Sequence, residues 1–206
     1  GLLIWFDALV RKNSEWLRPL ATLGIPIVGI EPSMVLTYRD EYPKSLGIKQ
    51  LPVEILLPQE WLVQQTDQLR SNQILEPLRS YSLLGHCSEK TLALQSQQQW
   101  QNVFKALGLD LKLEATGCCG MAGTYGHEKE HYEESRGIFK MSWQHHMPNE
   151  LTQQATILAT GYSCRSQVKR FSGFHPMHPL QALLQEITEK NSATSTNLTK
   201  TIVGNA

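Results

Sequence analysis

Apolar and polar residues in this chain alternate between short β-like runs and longer stretches with helical spacing. In the first half, the pattern predicts three helices and two strands. The helices are predicted over Trp5–Leu23, Pro32–Lys44 and Pro58–Leu69, and the strands over Ile25–Glu31 and Pro52–Leu57. Gly24 is a stop signal for the first helix, and Pro32 suits the beginning of the second.

The second half repeats this alternation more regularly. Strands are predicted over Tyr81–His86, Leu109–Ala115 and Ala155–Thr160, and helices over Thr91–Leu107, Glu128–His146, Ser163–Phe171 and Pro179–Lys190. Strands that alternate with helices indicate an α/β fold, in which helices flank one or more mostly parallel sheets.

The four cysteines all follow predicted strands. Cys87 comes directly after the strand Tyr81–His86, and Cys164 follows the strand Ala155–Thr160. Cys118 and Cys119 follow the strand Leu109–Ala115, which lies between the other two strands in the chain. Open α/β sheets assemble their sites at the carboxyl ends of parallel strands. The 30 residues 88–117 and the 44 residues 120–163 are long enough for the crossover helices that join such strands. We therefore expect the four thiols to converge.

Composition excludes some classes of function. The chain has 206 residues, of which 41% are hydrophobic and 18% charged, as in soluble globular proteins. Nineteen basic residues balance nineteen acidic ones, which argues against nucleic acid as a partner. No apolar run reaches the roughly 18–20 residues of a transmembrane span, and no signal peptide is recognisable. These features predict a cytoplasmic protein, and they leave peripheral attachment at the inner membrane open.

The two ends of the chain differ in character. The opening residues GLLIWFDALV are apolar and lack an initiator Met, so we interpret them as a cut through a longer protein. The last residues, NSATSTNLTKTIVGNA, are small and polar without periodicity, which predicts a mobile tail over 191–206.

Four clustered thiols in a reducing compartment indicate metal or redox chemistry more than disulfides. Soft thiolates select zinc, copper(I) or iron–sulfur clusters. Zinc sites commonly use C-x₂-C pairs, and this sequence has none. The adjacent Cys118 and Cys119 suit a polynuclear centre, because such a centre offers several separate metal sites.

Glycines and a neighbouring arginine are further candidates at this site. Gly117, Gly120 and Gly123 are expected to permit positive φ angles and to let backbone N–H groups approach the sulfurs. Arg165, next to Cys164, is a candidate cation for a bound cofactor, with a solvated helix residue as the alternative.

Three motifs carry a resemblance to a known family. They are Cys87 in GHC, Cys118-Cys119-Gly120 in TGCCGMAGTYG, and Cys164 in GYSCRSQ. They resemble the cysteine-rich CCG domain of heterodisulfide reductase and of the iron–sulfur subunits of glycolate oxidase and anaerobic glycerol-3-phosphate dehydrogenase. The similarity is closer still to the C-terminal part of bacterial flavoproteins that oxidise D-2-hydroxy acids such as D-lactate or D-2-hydroxyglutarate.

The resemblance implies both an architecture and a function. It implies two pseudo-repeated α/β halves: residues 1–75 as a truncated, degenerate first repeat and residues 76–190 as the repeat with the site. It also implies that an iron–sulfur cluster is held by the four cysteines, and that this cluster passes electrons from FAD to a quinone or another acceptor. FAD and a ferredoxin-like domain would lie elsewhere in the parent chain. The isolated chain would then be inactive, and aerobic preparations would be empty or hold zinc.

Two positions depart from the family pattern. Gln167 stands where the second cysteine of a C-x-x-C motif is expected, and Met34 stands where the first repeat usually has a cysteine. At most four thiols remain, which favours one four-thiolate cluster over a larger five-cysteine centre.

Other functions remain open from the sequence. One is a structural zinc scaffold, and another is a thiol site that performs disulfide chemistry. The segment from His127 to His131 reads H-E-x-x-H, the signature of zinc proteases. The charged Lys129 and Glu130 inside the motif instead favour a solvent-facing polar helix, because burying them unpaired would be costly.

Overall fold

The computed structural model describes residues 2–74, 79–149 and 156–203, with side chains through residue 192. Its helices are α1 (Leu2–Thr22), α2 (Pro32–Arg39), α3 (Glu41–Leu46), α4 (Pro58–Val63), α5 (Thr66–Ser71), α6 (Cys87–Leu92), α7 (Ser96–Ala106), α8 (Tyr132–Ser142), α9 (Tyr162–Ser172) and α10 (Pro179–Val203). Its strands are β1 (Ile27–Val28), β2 (Ile55–Leu56), β3 (Ser80–Leu84), β4 (Asp110–Leu113) and β5 (Ile157–Ala159).

The strands form two parallel sheets, one in each half of the sequence. In the first half, β1 pairs with β2. In the second half, β3 is central and has β4 and β5 on its two sides. Leu83 of β3 is aligned with Leu113 of β4 and with Leu158 of β5, so the three strands end at the same edge. This arrangement confirms the predicted α/β class.

Two apolar clusters fix the second sheet between its helices. On α7, Trp100, Val103 and Phe104 recur at helical spacing and are fully buried together with Tyr81 and Leu83 of β3. A second cluster lies nearer the cysteines. Its buried members are Leu84, Cys119, Met121, Phe139, Trp143, Ile157, Ala159, Cys164 and Val168.

The first half has its own core and is joined to the second by apolar packing of α4 and α5 and by polar contacts. Val10, Tyr42 and Leu57 belong to this separate apolar cluster. The carboxylate of Glu31 accepts a hydrogen bond of 2.8 Å from the backbone N–H of Tyr162, at the start of α9. The two halves therefore meet at the edge of the sheet where the cysteine loops emerge.

Five predicted helices differ from the observed ones. The predicted helices Pro32–Lys44 and Pro58–Leu69 are each divided in two, into α2 with α3 and into α4 with α5. The predicted helix Thr91–Leu107 is two helices, of which α6 already begins at Cys87 because His86 caps its first turn. The predicted helix Glu128–His146 is reduced to α8 between short 3₁₀ turns, because Glu128 is extended (φ −69°, ψ 137°). The last helix continues to Val203 instead of ending at Lys190, through most of the segment predicted to be a tail.

Two sequence predictions fall partly outside the described residues. The predicted boundary between the repeats, at 75/76, lies there, as does the first residue of the predicted strand Ala155–Thr160. None of the helices within 2–74, 79–149 and 156–203 combines the length and apolar character needed to cross a membrane.

A buried ion pair fastens α10 to the sheet. Glu186 is 3% exposed, and its Oε1 accepts hydrogen bonds from Arg79 Nη1 (3.0 Å) and from the Tyr81 hydroxyl (2.6 Å). Arg79 also binds Glu189, at 2.8 Å. Removing one partner of a buried pair leaves a charge without compensation.

We predict that Arg79→Met lowers the free energy of unfolding by about 3 kcal/mol, because Glu186 keeps its burial but loses its counter-charge. Urea unfolding followed by circular dichroism measures this loss. The matched control is Arg70→Met, since Arg70 contacts the exposed Asp67 at 3.8 Å. The control should change stability by less than about 0.5 kcal/mol. Equal losses in the two variants would contradict this assignment.

Candidate metal centre

The four cysteines meet at the carboxyl edge of the second sheet. Cys87 is the first residue of α6, and Cys164 lies in the first turn of α9. Cys118 and Cys119 lie in the loop that follows β4. The parallel order of the strands directs these three segments to one edge, as the sequence predicted.

Side-chain interactions link the four thiols in the order Cys87, Cys118, Cys119 and Cys164, which we call the row of thiols. Cys87 also interacts electrostatically with Cys164. All four are free cysteines. Cys87 and Cys118 are half-buried, whereas Cys119 and Cys164 are only 3% and 1% exposed. One end of the row is therefore open to an approaching molecule, and the other is enclosed in the core.

Cys118 is the thiol that ionises first. Hydrogen bonds from Cys119 and Cys87 lower its pKa, and the backbone N–H of Gly120 donates to its sulfur at 3.3 Å. The same contacts raise the pKa of Cys87 and of Cys119, because each of these thiols keeps its proton as a donor to Cys118. The site thus stabilises a thiolate before any cofactor is bound.

The three glycines proposed for the loop have different roles. Gly120 and Gly123 have φ angles of 90° and 69°, as the sequence predicted. The prediction of a positive φ was wrong for Gly117, whose N–H donates to Ser142 Oγ and whose carbonyl accepts from Trp143 Nε1 at 3.1 Å. Gly117 is instead confined by close packing, since a Cβ there would lie 3.0 Å from Ser142 Oγ.

A buried carboxyl group ties the loops of Cys87 and Cys164 together. Glu89, 1% exposed, accepts hydrogen bonds from the backbone N–H of His86 (3.3 Å) and from the Thr160 hydroxyl. Burial raises its pKa. Gly161 permits the same approach of the two loops, because a Cβ there would lie 2.2 Å from His86 Cδ2.

Gln167 holds the loop that carries the adjacent cysteines. Its side chain is fully buried, and its Nε2 donates to the Cys119 carbonyl (3.1 Å) and to Ser135 Oγ (2.6 Å). Ser135 in turn donates to the Gly120 carbonyl at 2.8 Å. The residue that replaces the family's fifth cysteine is therefore a structural support of the loop.

Two basic residues belong to the cysteine segments: Arg165, the candidate from the sequence, directly follows Cys164, and Lys90 lies in α6. The guanidinium of Arg165 lies 5.8 Å from the ring centre of Tyr162. Burial of His178, together with the charge of Arg165, lowers the pKa of His178 to about 4. The Nε of Arg165 is buried without a hydrogen-bond partner among the described residues, and a role of Arg165 at a cofactor stays a prediction. The ammonium group of Lys90 interacts electrostatically with Cys87, Cys118 and Cys164.

A cavity of about 620 Å³ opens beside the row of thiols. Cys87, Cys118 and Cys119 line one side, and Glu31 and Met34 of the first half line the other. Met34 is more than half exposed at this cavity. The volume lies within the range of small-molecule sites in proteins.

The donor set fits a metal cofactor in chemistry but not in the geometry of a single ion. In the part of the chain that the structure describes, no three His, Cys, Asp or Glu side chains are arranged to hold one metal ion. Metal binding would displace the thiol protons. A group of four soft thiolates, two of them adjacent in the chain, suits a centre with several metal sites.

The H-E-x-x-H segment does not have the geometry of a zinc protease. His127 and His131 belong to two separate 3₁₀ turns, instead of one α-helix that would place both on one face. The His131 ring stacks on Tyr125 at 3.9 Å, and its Nε2 lies 3.4 Å from Glu128. The prediction of a continuous polar helix was also wrong here, although the residues are surface-facing as expected.

Several residues of the site were missed from the sequence alone. Glu89 and Lys90 precede the predicted helix Thr91–Leu107, Gln59 lies in the predicted helix Pro58–Leu69, and none of the three was a site candidate. A sequence signal existed for Glu89, which lies three residues after the helix cap His86, as in a capping box. Only the fold reveals that Gln59 reaches Glu89 (3.3 Å) from the other half.

Comparison with known proteins identifies the group to which this chain is similar. It is 47% identical over 185 residues to D-2-hydroxyglutarate dehydrogenase of Pseudomonas putida and 42% identical over 188 residues to that of Escherichia coli. It resembles one segment of these dehydrogenases. The match covers 90–91% of this chain but only 18% of the length of each relative. The predicted similarity to D-2-hydroxyacid dehydrogenases is thereby confirmed.

A more distant relative also matches a resemblance predicted from the cysteine motifs. One of the subunits of the anaerobic glycerol-3-phosphate dehydrogenase of Escherichia coli is 27% identical over 180 residues, which are 85% of this chain and 44% of that subunit. No family model matches the chain. No solved structure matches it either.

We predict that Gly120→Ala lowers the free energy of unfolding by about 3 kcal/mol, because a methyl group at φ 90° would lie 2.4 Å from the Ser135 carbonyl oxygen. Urea unfolding of the metal-free protein measures the effect. Gly123→Ala is the matched control, since its φ is 69° but no atom lies within 4 Å of the added methyl. It should cost about 1 kcal/mol. A control loss as large as that of Gly120→Ala would show that the close approach is unimportant.

Proposed function

We propose that this chain is an iron–sulfur electron-transfer domain of a larger flavin-dependent dehydrogenase that oxidises D-2-hydroxyglutarate. The observation that carries the proposal is the meeting of four thiols, from three separate strand ends, in one row of contacts. The similarity to D-2-hydroxyglutarate dehydrogenases over 90% of the chain supports the wider assignment.

An iron–sulfur cluster suits this donor set better than zinc does. The ligands would be Cys87, Cys118, Cys119 and Cys164. When bound, such a cluster accepts and donates single electrons. Cys118 interacts with Cys87 and with Cys119, and Cys119 interacts with Cys164, so all four thiols could serve as ligands of one centre with several metal sites.

The chain's own residues prepare the site for a cluster and tune its surroundings. The N–H of Gly120 donates to the Cys118 sulfur, and such bonds stabilise negative charge on cluster ligands. Cys119 and Cys164 are buried among apolar side chains, which keeps water from the inner end of the site. The outer end faces the cavity, through which an electron partner has access.

The rest of the reaction is assigned to other parts of the parent protein. We propose that a hydride equivalent from the D-2-hydroxy acid reaches FAD in another domain, and that electrons then pass through a ferredoxin-like domain and this site. A quinone or another acceptor would receive them, either in the cytoplasm or at the inner membrane. This chain would bind no 2-hydroxy acid itself.

The experiment is anaerobic reconstitution with iron and sulfide, followed by metal analysis, acid-labile sulfide analysis and EPR. We predict that the wild type binds both iron and sulfide, and that Cys119→Ser and Cys164→Ser lose at least about half of them, because a missing thiolate cannot be replaced by a hydroxyl. His131→Ala is the control and should bind as much as the wild type.

The outcomes separate the competing functions. Unchanged iron and sulfide in both cysteine variants would refute the ligand assignment. One zinc ion per chain without sulfide, after the same anaerobic treatment, would favour the structural zinc scaffold. Loss of metal in His131→Ala alone would favour the H-E-x-x-H site.

A further inference from the structure

A lysine in the first helical turn after Cys87 stands out among the residues that the proposed function does not use. We propose that Lys90 is a positioning residue of the cysteine site, which holds the loop of Cys118 against α6 and keeps a positive charge beside the sulfurs. The consequence for electron transfer, a higher reduction potential, rests on the proposed function. The charge and the contact themselves do not.

The contact joins two of the three cysteine segments. Lys90 lies three residues after Cys87 on α6, so both side chains are on the same face of the helix. Its Nζ donates to the backbone carbonyl and to the hydroxyl of Thr116, the latter at 3.0 Å. Thr116 lies two residues before Cys118, and the ammonium group therefore fixes the start of the loop with the adjacent cysteines.

The charge acts on sulfurs from all three segments. The electrostatic interactions of Lys90 include Cys87, Cys164 and Cys118. The side chain is half-buried, so solvent screens this interaction less than it would on an open surface. Two other basic groups lie near: His86, whose pKa burial lowers, and Arg165, which lies over Tyr162. Burial also lowers the pKa of Lys90, and the hydrogen bonds that its amino group donates to Thr116 hold that group beside the thiols.

A fixed cation beside thiolates has two effects. It draws anionic reagents or ligands towards the sulfurs in the metal-free protein. With a cluster bound, it stabilises the reduced state more than the oxidised one, because the reduced state carries one more negative charge. The first effect needs no cofactor, so its measurement in the metal-free protein is the decisive test.

The test compares two alkylating reagents on the metal-free protein at pH 8 and low salt. Iodoacetate is anionic and iodoacetamide is neutral, so the ratio of their rate constants reports the local potential, while the thiolate fraction cancels. Peptide mapping by mass spectrometry assigns the rates to Cys87 and Cys118, the two half-buried thiols. We expect Lys90→Met to lower the iodoacetate-to-iodoacetamide ratio by about fivefold.

Three comparisons make the result specific. Lys90→Arg keeps the charge and should keep the wild-type ratio. Lys105→Met removes an exposed lysine of α7, which lines a groove with Asp110 at the opposite, amino-terminal end of β4, and should also leave the ratio unchanged. Raising the salt to about 1 M should lower the wild-type ratio, a measurement that needs no variant. A ratio in Lys90→Met equal to that of the wild type, or a salt-independent wild-type ratio, would overturn the proposal.

A second readout links the charge to electron transfer. In reconstituted protein, the midpoint potential of Lys90→Met should fall by the equivalent of about tenfold in the reduced-to-oxidised ratio, which is about 59 mV for one electron. A changed alkylation ratio without any cluster would refute the proposed function but uphold the role of Lys90. A bound cluster with an unchanged alkylation ratio would refute the role of Lys90 but uphold the proposed function.

Discussion

The buried carboxyl group of Glu89 is the interaction on which the arrangement of the site depends. It accepts hydrogen bonds from His86 N, Thr160 Oγ1, Ser96 Oγ (2.7 Å) and Gln59 Nε2 (3.3 Å). These donors come from the beginning of α6, the end of β5, α7 and the first half of the chain. Burying a carboxyl group is costly unless its oxygens are satisfied, so the four donors are held at fixed positions around it. Cys87 directly follows the donor His86, and Cys164 lies four residues after the donor Thr160. The distance between the segments of Cys87 and Cys164 therefore depends on this network.

The surroundings of the thiols change from the buried inner end of the site to its exposed outer end. At its inner end, Cys119 and Cys164 are in the core, supported by Gln167, whose amide reaches the Cys119 carbonyl. At its outer end, Cys87 and Cys118 face a cavity that the first half of the chain closes from the other side. The first half of the chain, which has no cysteine, thus contributes walls to the site, Met34 among them.

The sequence predicted the parts of the fold that depend on local periodicity and on strand ends. Because side chains at the ends of parallel strands must meet at one edge, the positions of Cys87 and Cys164 were enough to place the site. The sequence could not reveal the side chains that satisfy one another across it. The pairing of Gln59 with Glu89 and the contact of Lys90 with Thr116 join positions 30 and 26 residues apart. Such contacts depend on tertiary packing and leave no local pattern.

The proposed electron transfer requires that this row of thiols holds one iron–sulfur cluster. The decisive measurement is the crystal structure of the anaerobically reconstituted protein, with anomalous scattering recorded at the iron edge. We predict several iron atoms within bonding distance of the sulfurs of all four cysteines. Iron bound elsewhere, or a single ion held by only some of the four thiols, would contradict the cluster assignment.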